Sequence, residues 1–262
     1  MDRLKRRVCR LMAGIAPDTP AGGMRVLLYH SIDDPDPADR LALRVSRARF
    51  VEQMHVLRDE GYSVVSLGEA TEPRTASHDR VSVAITFDDG YWSQGWAAET
   101  LREFGFPATF FLVPRFLDGV TAPAAYWEQW GHLRWEEAAA LMESGFEVGA
   151  HSATHPDLRT CEDSHLDREV AGSRALLEAR LGGHVVSFSY PYGRHDARVR
   201  RAAERAGYQL ACTSRYGVNR TSGPSWAVHR TEVSGLDDVR DFRMKLRGQY
   251  DWLGYWQDVR PA

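Results

Sequence analysis

The sequence is poor in the features that mark secreted, membrane-spanning or nucleic-acid-binding chains. Its three cysteines, Cys9, Cys161 and Cys212, are odd in number and far apart, which suggests neither a disulfide framework nor a thiolate zinc cluster and fits a reducing compartment. No apolar run approaches the roughly 18–20 residues that a membrane span requires. The 33 basic and 36 acidic residues leave a net charge of -3, so no cationic surplus argues for nucleic acid as a partner. Repeats, low-complexity tracts and linkers rich in Pro, Gly or Ser are absent as well, which argues against several domains. The N-terminus is basic through Arg3, Lys5, Arg6, Arg7 and Arg10, but Leu11-Met-Ala-Gly-Ile-Ala16 is too short for the core of an export signal. That segment is expected to be a solvated tail, with peripheral contact to anionic lipid as the alternative, and the chain to be cytoplasmic.

What is present is alternation. At 262 residues, 43% of them hydrophobic, the chain can bury one large core. Candidate strands run over 25–29, 62–65, 81–87, 108–113, 146–150, 185–190, 208–213 and 226–228. Helical patterns lie between them at Phe50, Met54 and Leu57, over 135–142, over 166–181, and over 197–206 behind a cap at Asp196. Seven or eight such units predict an α/β fold, a closed or nearly closed parallel barrel. Residues 1–23 precede it as a basic segment and 24–235 form it. Residues 236–262 add a C-terminal extension whose aromatic run, Gln249-Tyr-Asp-Trp-Leu-Gly-Tyr-Trp256, is expected to dock on the barrel.

Polar residues stand where the strands end: His30, Asp88 with Asp89, His151, Pro191-Tyr-Gly193, and His229 with Arg230. In parallel barrels these ends converge on one face, where active sites sit. One Asp-Asp-Gly is most simply a turn, whereas five such endings on one rim point to a site. His151 and His155 are four residues apart, and two histidines with one aspartate leave positions open for water and substrate, as catalytic zinc or a similar divalent metal requires. Pro156 disfavours a helical conformation at His155, which places the pair on a loop.

Thr86-Phe-Asp-Asp-Gly90, then Gly149-Ala-His-Ser-Ala-Thr-His-Pro156, then Phe188-Ser-Tyr-Pro-Tyr-Gly193 together resemble the motifs of the polysaccharide deacetylase family (NodB homology domain, carbohydrate esterase family 4). The connecting stretches Phe106-Pro-Ala-Thr-Phe-Phe111 and Gly145-Phe-Glu-Val-Gly149 are similar too, and the match spans Val26 to Gly235. The resemblance implies a distorted (β/α) barrel of seven or eight parallel strands and metal-dependent hydrolysis of an N-acetyl group on an amino sugar. It implies Asp88 as general base, and Asp89, His151 and His155 as ligands of one divalent metal: zinc first, with cobalt, nickel or iron as alternatives. The family's oxyanion donor lies in the third motif, which points to Tyr192, beside Pro191. A carboxylate on the metal is committed as a ligand, whereas its neighbour stays free to take a proton from water.

Two departures stand out. Ser189 occupies the position where the family commonly carries an arginine that orients the base, and no leucine-rich strand closing in the acid histidine follows. Leu28-Tyr-His30 is similar to the opening strand of the exopolysaccharide deacetylases of the PgaB and IcaB type, which makes His30 the expected general acid. His229 is the second candidate, with Arg230 beside it as a substitute for the missing arginine. Tyr91 and Trp92 could stack on a sugar ring or pack against loops, and Trp127 with Trp130 could wall a groove. His55, His78, His132, His165, His184 and His195 are expected at the surface. The expected substrate is an N-acetylated amino sugar, free, nucleotide-linked, lipid-linked or oligomeric. Alternatives are a deformylase or other amide hydrolase on the same site, or a carbohydrate-binding barrel without catalysis.

Overall fold

In a computed structural model of the chain, residues 3–18, 22–68, 81–119, 130–220 and 225–259 are described. Strand β1 (Met24–Tyr29) is followed by a short parallel pair, β2 (Ser31–Ile32) and β3 (Arg44–Val45). Then come β4 (Ser82–Phe87), β5 (Thr109–Leu112), β6 (Glu147–Ala150), β7 (Ser187–Ser189), β8 (Leu210–Cys212), β9 (Ser225–Val228) and β10 (Arg230–Glu232). All but β2 and β3 belong to one parallel sheet in the order β10-β1-β4-β5-β6-β7-β8-β9. Its two edges are consecutive in the chain, separated only by His229: β9 pairs with β8, and β10 pairs with β1 from Val26↔Arg230 to Leu28↔Glu232. The sheet is therefore nearly closed into a barrel, and the seam is a single segment that changes partner at His229. The barrel predicted from the sequence is borne out.

Two local expectations need correction here. His229 does not end a strand at the rim; the chain runs on through β10, whose last residue is Glu232. Residues 62–65 contribute one isolated bridge, Val64 to Val83, rather than a strand, because β4 pairs with β5 only from Thr86 onward.

Strand β4 is buried along its whole length, as a strand covered on both faces must be. Val83, Ile85 and Phe87 face the helical layer, while Ala84 joins Met24, Val26, Phe111, Leu210, Cys212 and Val228 in a second cluster that fills the barrel. Outside, Tyr29 stacks on Phe87 at 5.5 Å and Phe87 on Phe110 at 4.8 Å. Inside, a Cβ on Gly149 would stand 2.5 Å from the Phe111 ring and 2.6 Å from Ser187 Oγ, so only glycine fits there.

The helical layer comprises α1 (Arg3–Ile15), α2 (Arg47–Asp59), α3 (Gln94–Phe104), α4 (Pro114–Leu117), α5 (Trp135–Glu143), α6 (Asp163–Leu181), α7 (Ala197–Arg205), α8 (Val239–Leu246) and α9 (Trp252–Val259). Asp196 caps α7 as its spacing predicts, its side chain accepting from the Val199 N–H at 2.8 Å. The N-terminal segment is not a solvated tail. It forms α1, whose Arg10 pairs with Asp238 and Asp241 and whose Ala13 is buried against Met244 and Tyr250. Beyond α8, Asp251 accepts two bonds from the buried Arg25 guanidinium at 2.8 and 3.0 Å, tying the C-terminal segment to β1. No described helix is long and apolar enough to cross a membrane.

Candidate active site

The chain reverses sharply after β4, with Asp89 at φ 74° and Gly90 at φ 68°. Asp89 Oδ1 lies 3.4 Å from both His151 Nε2 and His155 Nε2, and the ligand atoms of the three residues all fall within 4.8 Å of one another. Asp89 Oδ1 is buried and has no hydrogen-bond donor of its own. His151 Nδ1 faces the Ser189 carbonyl at 2.8 Å; donating there fixes the tautomer and leaves the Nε2 lone pair directed at Asp89. An orphaned carboxylate oxygen between two imidazole nitrogens fits a divalent cation. Burial pushes His155 down to about 4, so its ring is neutral at pH 7, the form that ligates metal. Burial also lowers His151, but Asp88 and Asp89 outweigh it and shift the ring upward.

Asp88 is not the free neighbour that the sequence suggests. Its Oδ1 accepts from Arg230 Nη1 at 2.7 Å; its Oδ2 accepts from Nη2 at 2.7 Å and from Ser189 Oγ at 3.1 Å. Three of the roughly four acceptor directions of a carboxylate are thus filled, and one remains on Oδ1. Burial raises the Asp88 carboxyl, but the Arg230 charge, with His151, the Arg230 hydrogen bonds and His30, together outweigh it and hold the group below the usual range. Arg230 is itself fully buried, donates Nε to the Thr213 carbonyl at 2.8 Å, and also reaches Ser189 Oγ at 2.9 Å. The guanidinium missing from position 189 is therefore supplied from β10 to the same carboxylate.

The pair of histidines sits on a loop, as Pro156 predicts, with Ser152 at φ 60° and His155 at φ 62°. With Asp89 and with Tyr192 at φ 60°, four of the five positive-φ non-glycine residues among those described lie at this site, where strain collects when surroundings over-determine it. Here the determinant is Glu169 of α6, a buried carboxylate that accepts from the Ala153 N–H at 2.9 Å, the Thr154 N–H at 2.8 Å and the Thr154 hydroxyl at 2.6 Å. Glu169→Ala is expected to weaken divalent metal binding about 10- to 100-fold, as losses behind a ligand commonly do, while Glu169→Gln, which keeps an acceptor, retains most of it. Calorimetric metal titration of the purified variants reads both.

His30 lines a cleft of about 170 Å³ together with Asp88, Asp89, His151, His155 and Tyr192. Gln94 joins its backbone to the acidic turn, donating to the His30 carbonyl at 3.0 Å and the Asp88 carbonyl at 2.6 Å. His30 Nδ1 is buried with no hydrogen-bond partner. Leu28 and Glu232, register partners in β1 and β10, add one apolar and one acidic wall. His229 stays out of the cleft, its backbone exchanging bonds with the Asn219 side chain and its ring over Gly217.

Aromatic residues fall differently from expectation. Tyr91 is fully buried, stacked on His132 at 5.1 Å and tilted against Trp130 at 5.5 Å, so it supports the rim from beneath rather than facing substrate. Trp92 is the exposed member of the pair. His132 is likewise not at the surface: it packs 4.4 Å from Phe116, and burial lowers it to about 4. Trp127 and His78 lie outside the described residues. Tyr192 is half exposed, its ring 4.7 Å from His155, and buried Pro191 precedes it in a tight turn.

The family model for polysaccharide deacetylase matches residues 75–211, more than half of the chain. The chain belongs to the polysaccharide deacetylase family. Bacillus subtilis YxkH, a protein named for the same family, is 28% identical over 225 residues, covering 85% of this chain and 75% of that one. The solved structure of Streptococcus pyogenes deacetylase PplD in complex with acetate is 23% identical with a TM-score of 0.73, over 87% of this chain and 99% of that one. IcaB from Ammonifex degensii is 24% identical with a TM-score of 0.70, over 88% and 98%. These likenesses carry the fold, and the three motifs behind the resemblance fall within Thr86 to Gly193 at one end of this family's barrel.

Proposed function

We propose that this chain removes the acetyl group from an N-acetylated amino sugar, with Asp88 as general base and His30 as general acid. The observation that carries the reading is the division of two adjacent carboxylates: Asp88 is committed to Arg230, while Asp89 is directed at two imidazoles. Asp89, His151 and His155 would hold a divalent cation, zinc by donor type, which when bound polarises the acetyl carbonyl and acidifies water. Asp88, aligned by Arg230 and Ser189, takes a proton from the attacking water on the open side of Oδ1. The water oxygen joins the acetyl carbon, and the Tyr192 backbone N–H donates to the carbonyl oxygen as it becomes anionic. His30 protonates the sugar nitrogen as the C–N bond breaks, because an amide nitrogen leaves poorly as an anion. The products are acetate and a free amine.

The 170 Å³ cleft suits the acetamido end of one residue rather than a whole sugar, which leaves the remainder of the substrate outside. Acetate release from free, nucleotide-linked and oligomeric N-acetylhexosamines, before and after chelation and metal restoration, tests the activity. His30→Ala is expected to lower kcat about 10²- to 10³-fold and His229→Ala less than about threefold. An inert His229 variant beside an active His30 variant would reverse the assignment of the acid.

A further inference from the structure

Helix α1 presents an apolar stripe to solvent. Val8, Leu11, Met12 and Ile15, at positions i, i+3, i+4 and i+7, are between 46% and 74% exposed. The opposite face is occupied: Arg10 pairs with Asp238 and Asp241, and Ala13 and Cys9 pack into the cluster of Met244 and Tyr250. The helix is thus fixed to the barrel with its hydrophobic side outward. Its sequence holds five cations, Arg3, Lys5, Arg6, Arg7 and Arg10, and no acid. Arg10, the one cation of α1 whose side chain is described, is held by Asp238 and Asp241.

We propose that α1 is a docking surface for an anionic lipid bilayer. An exposed apolar stripe flanked by cations on a short helix lies in the interfacial plane, its apolar side among the acyl boundary and its charges at the headgroups. The sign of the charge selects the occupant, since a second copy of this helix would bring like charges together. Helix α1 runs alongside α8 in the same direction, Arg10 meeting the first turn of α8 and Ala13 meeting Met244 near its end. Because α8 follows Glu232 at the cleft and ends at Leu246, whose carbonyl accepts from Arg25 near the start of β1, the cationic turns lie toward the cleft end of the barrel.

Sedimentation of the full chain with vesicles tests this. Binding is expected with vesicles of one-third phosphatidylglycerol, weakening as salt rises, and not with pure phosphatidylcholine. The double variant Leu11→Glu with Ile15→Glu, at solvent-exposed positions, is expected to reduce binding at least about tenfold. Replacement of Arg3, Lys5, Arg6 and Arg7 by Gln is expected to do the same. Acetate release from a soluble N-acetylated sugar should be unchanged in both variants, which separates loss of docking from loss of the site. The proposal fails if anionic vesicles do not sediment the chain, if the double variant binds as before, or if the stripe instead forms a dimer that Leu11→Glu dissociates.

Discussion

Replacing Arg230 by methionine is expected to be the most damaging single change in the chain. Methionine keeps the apolar bulk beside Phe111 but strands the Asp88 carboxylate, which is 3% exposed. Removing one partner of a buried pair costs about 3–5 kcal/mol, because the other charge is left without compensation. The pH dependence follows from the sign of the shift. Arg230 holds the folded Asp88 below its unfolded value, so the pair's contribution is present above that unfolded value and is lost as pH falls through the folded one. In the variant the Arg230 charge no longer opposes burial and the carboxyl moves up, with His151 and His30 the charges that still lower it. The deficit against the native chain should therefore be largest near neutrality and shrink as the pH falls to about 4 and below. Urea unfolding of both proteins across that range measures it. Acetate release should fall roughly 10²-fold or more, because a base that is misaligned and partly protonated cannot serve the water. A variant equal to the native chain in stability and turnover would remove Arg230 from any part in the site.

Exchanging each aspartate of the turn for asparagine should separate their roles. Asp88→Asn is expected to lower kcat about 10²- to 10⁴-fold, the range of a lost general base, while the metal is kept. Asp89→Asn is expected to lose the metal first, since a neutral amide replaces the only carboxylate in the ligand set. Asparagine at 88 also turns an amide toward Arg230, so the double variant Asp88→Asn with Arg230→Met shows how much of the loss is electrostatic clash. Metal content and single-turnover acetate release, measured on the same samples, distinguish the outcomes. Equal metal loss in both single variants would refute the division of roles.

The elements that could be read from the sequence were those whose signal is local. Strand β4 announces itself by an apolar run closed by a turn, and α7 by a cap at the right spacing. The His151 and His155 loop is marked by the proline that follows it. Arg230 was legible as a stand-in for the arginine missing at position 189, but the two-pronged bond it makes to Asp88 was not, because the two are 142 positions apart and meet only when the barrel closes. Glu169 left a signal that went unread: Leu166, Glu169, Val170, Ser173 and Leu177 share the buried face of α6, and a carboxylate on such a stripe must have donors waiting. Helix α1 was missed for the opposite reason. Its charge pattern suggested solvation, whereas its fit to α8 depends on two acids more than two hundred residues away. Strand β10 is only three residues long and is defined by its neighbour rather than by its own composition.

The seam at His229 has a consequence for how the molecule comes into being. Asp88, Asp89, His151 and His155 are all synthesised before the segment that closes the ring, and contacts so distant in sequence form late and slowly. Until β10 inserts beside β1, the metal set can exist but the carboxylate next to it has no guanidinium. A chain clipped before β10 would keep Asp89, His151 and His155 and lack the guanidinium that faces Asp88. Arg230 reaches Asp88 only where β10 lies beside β1, so that contact certifies that the last strand of the barrel has docked.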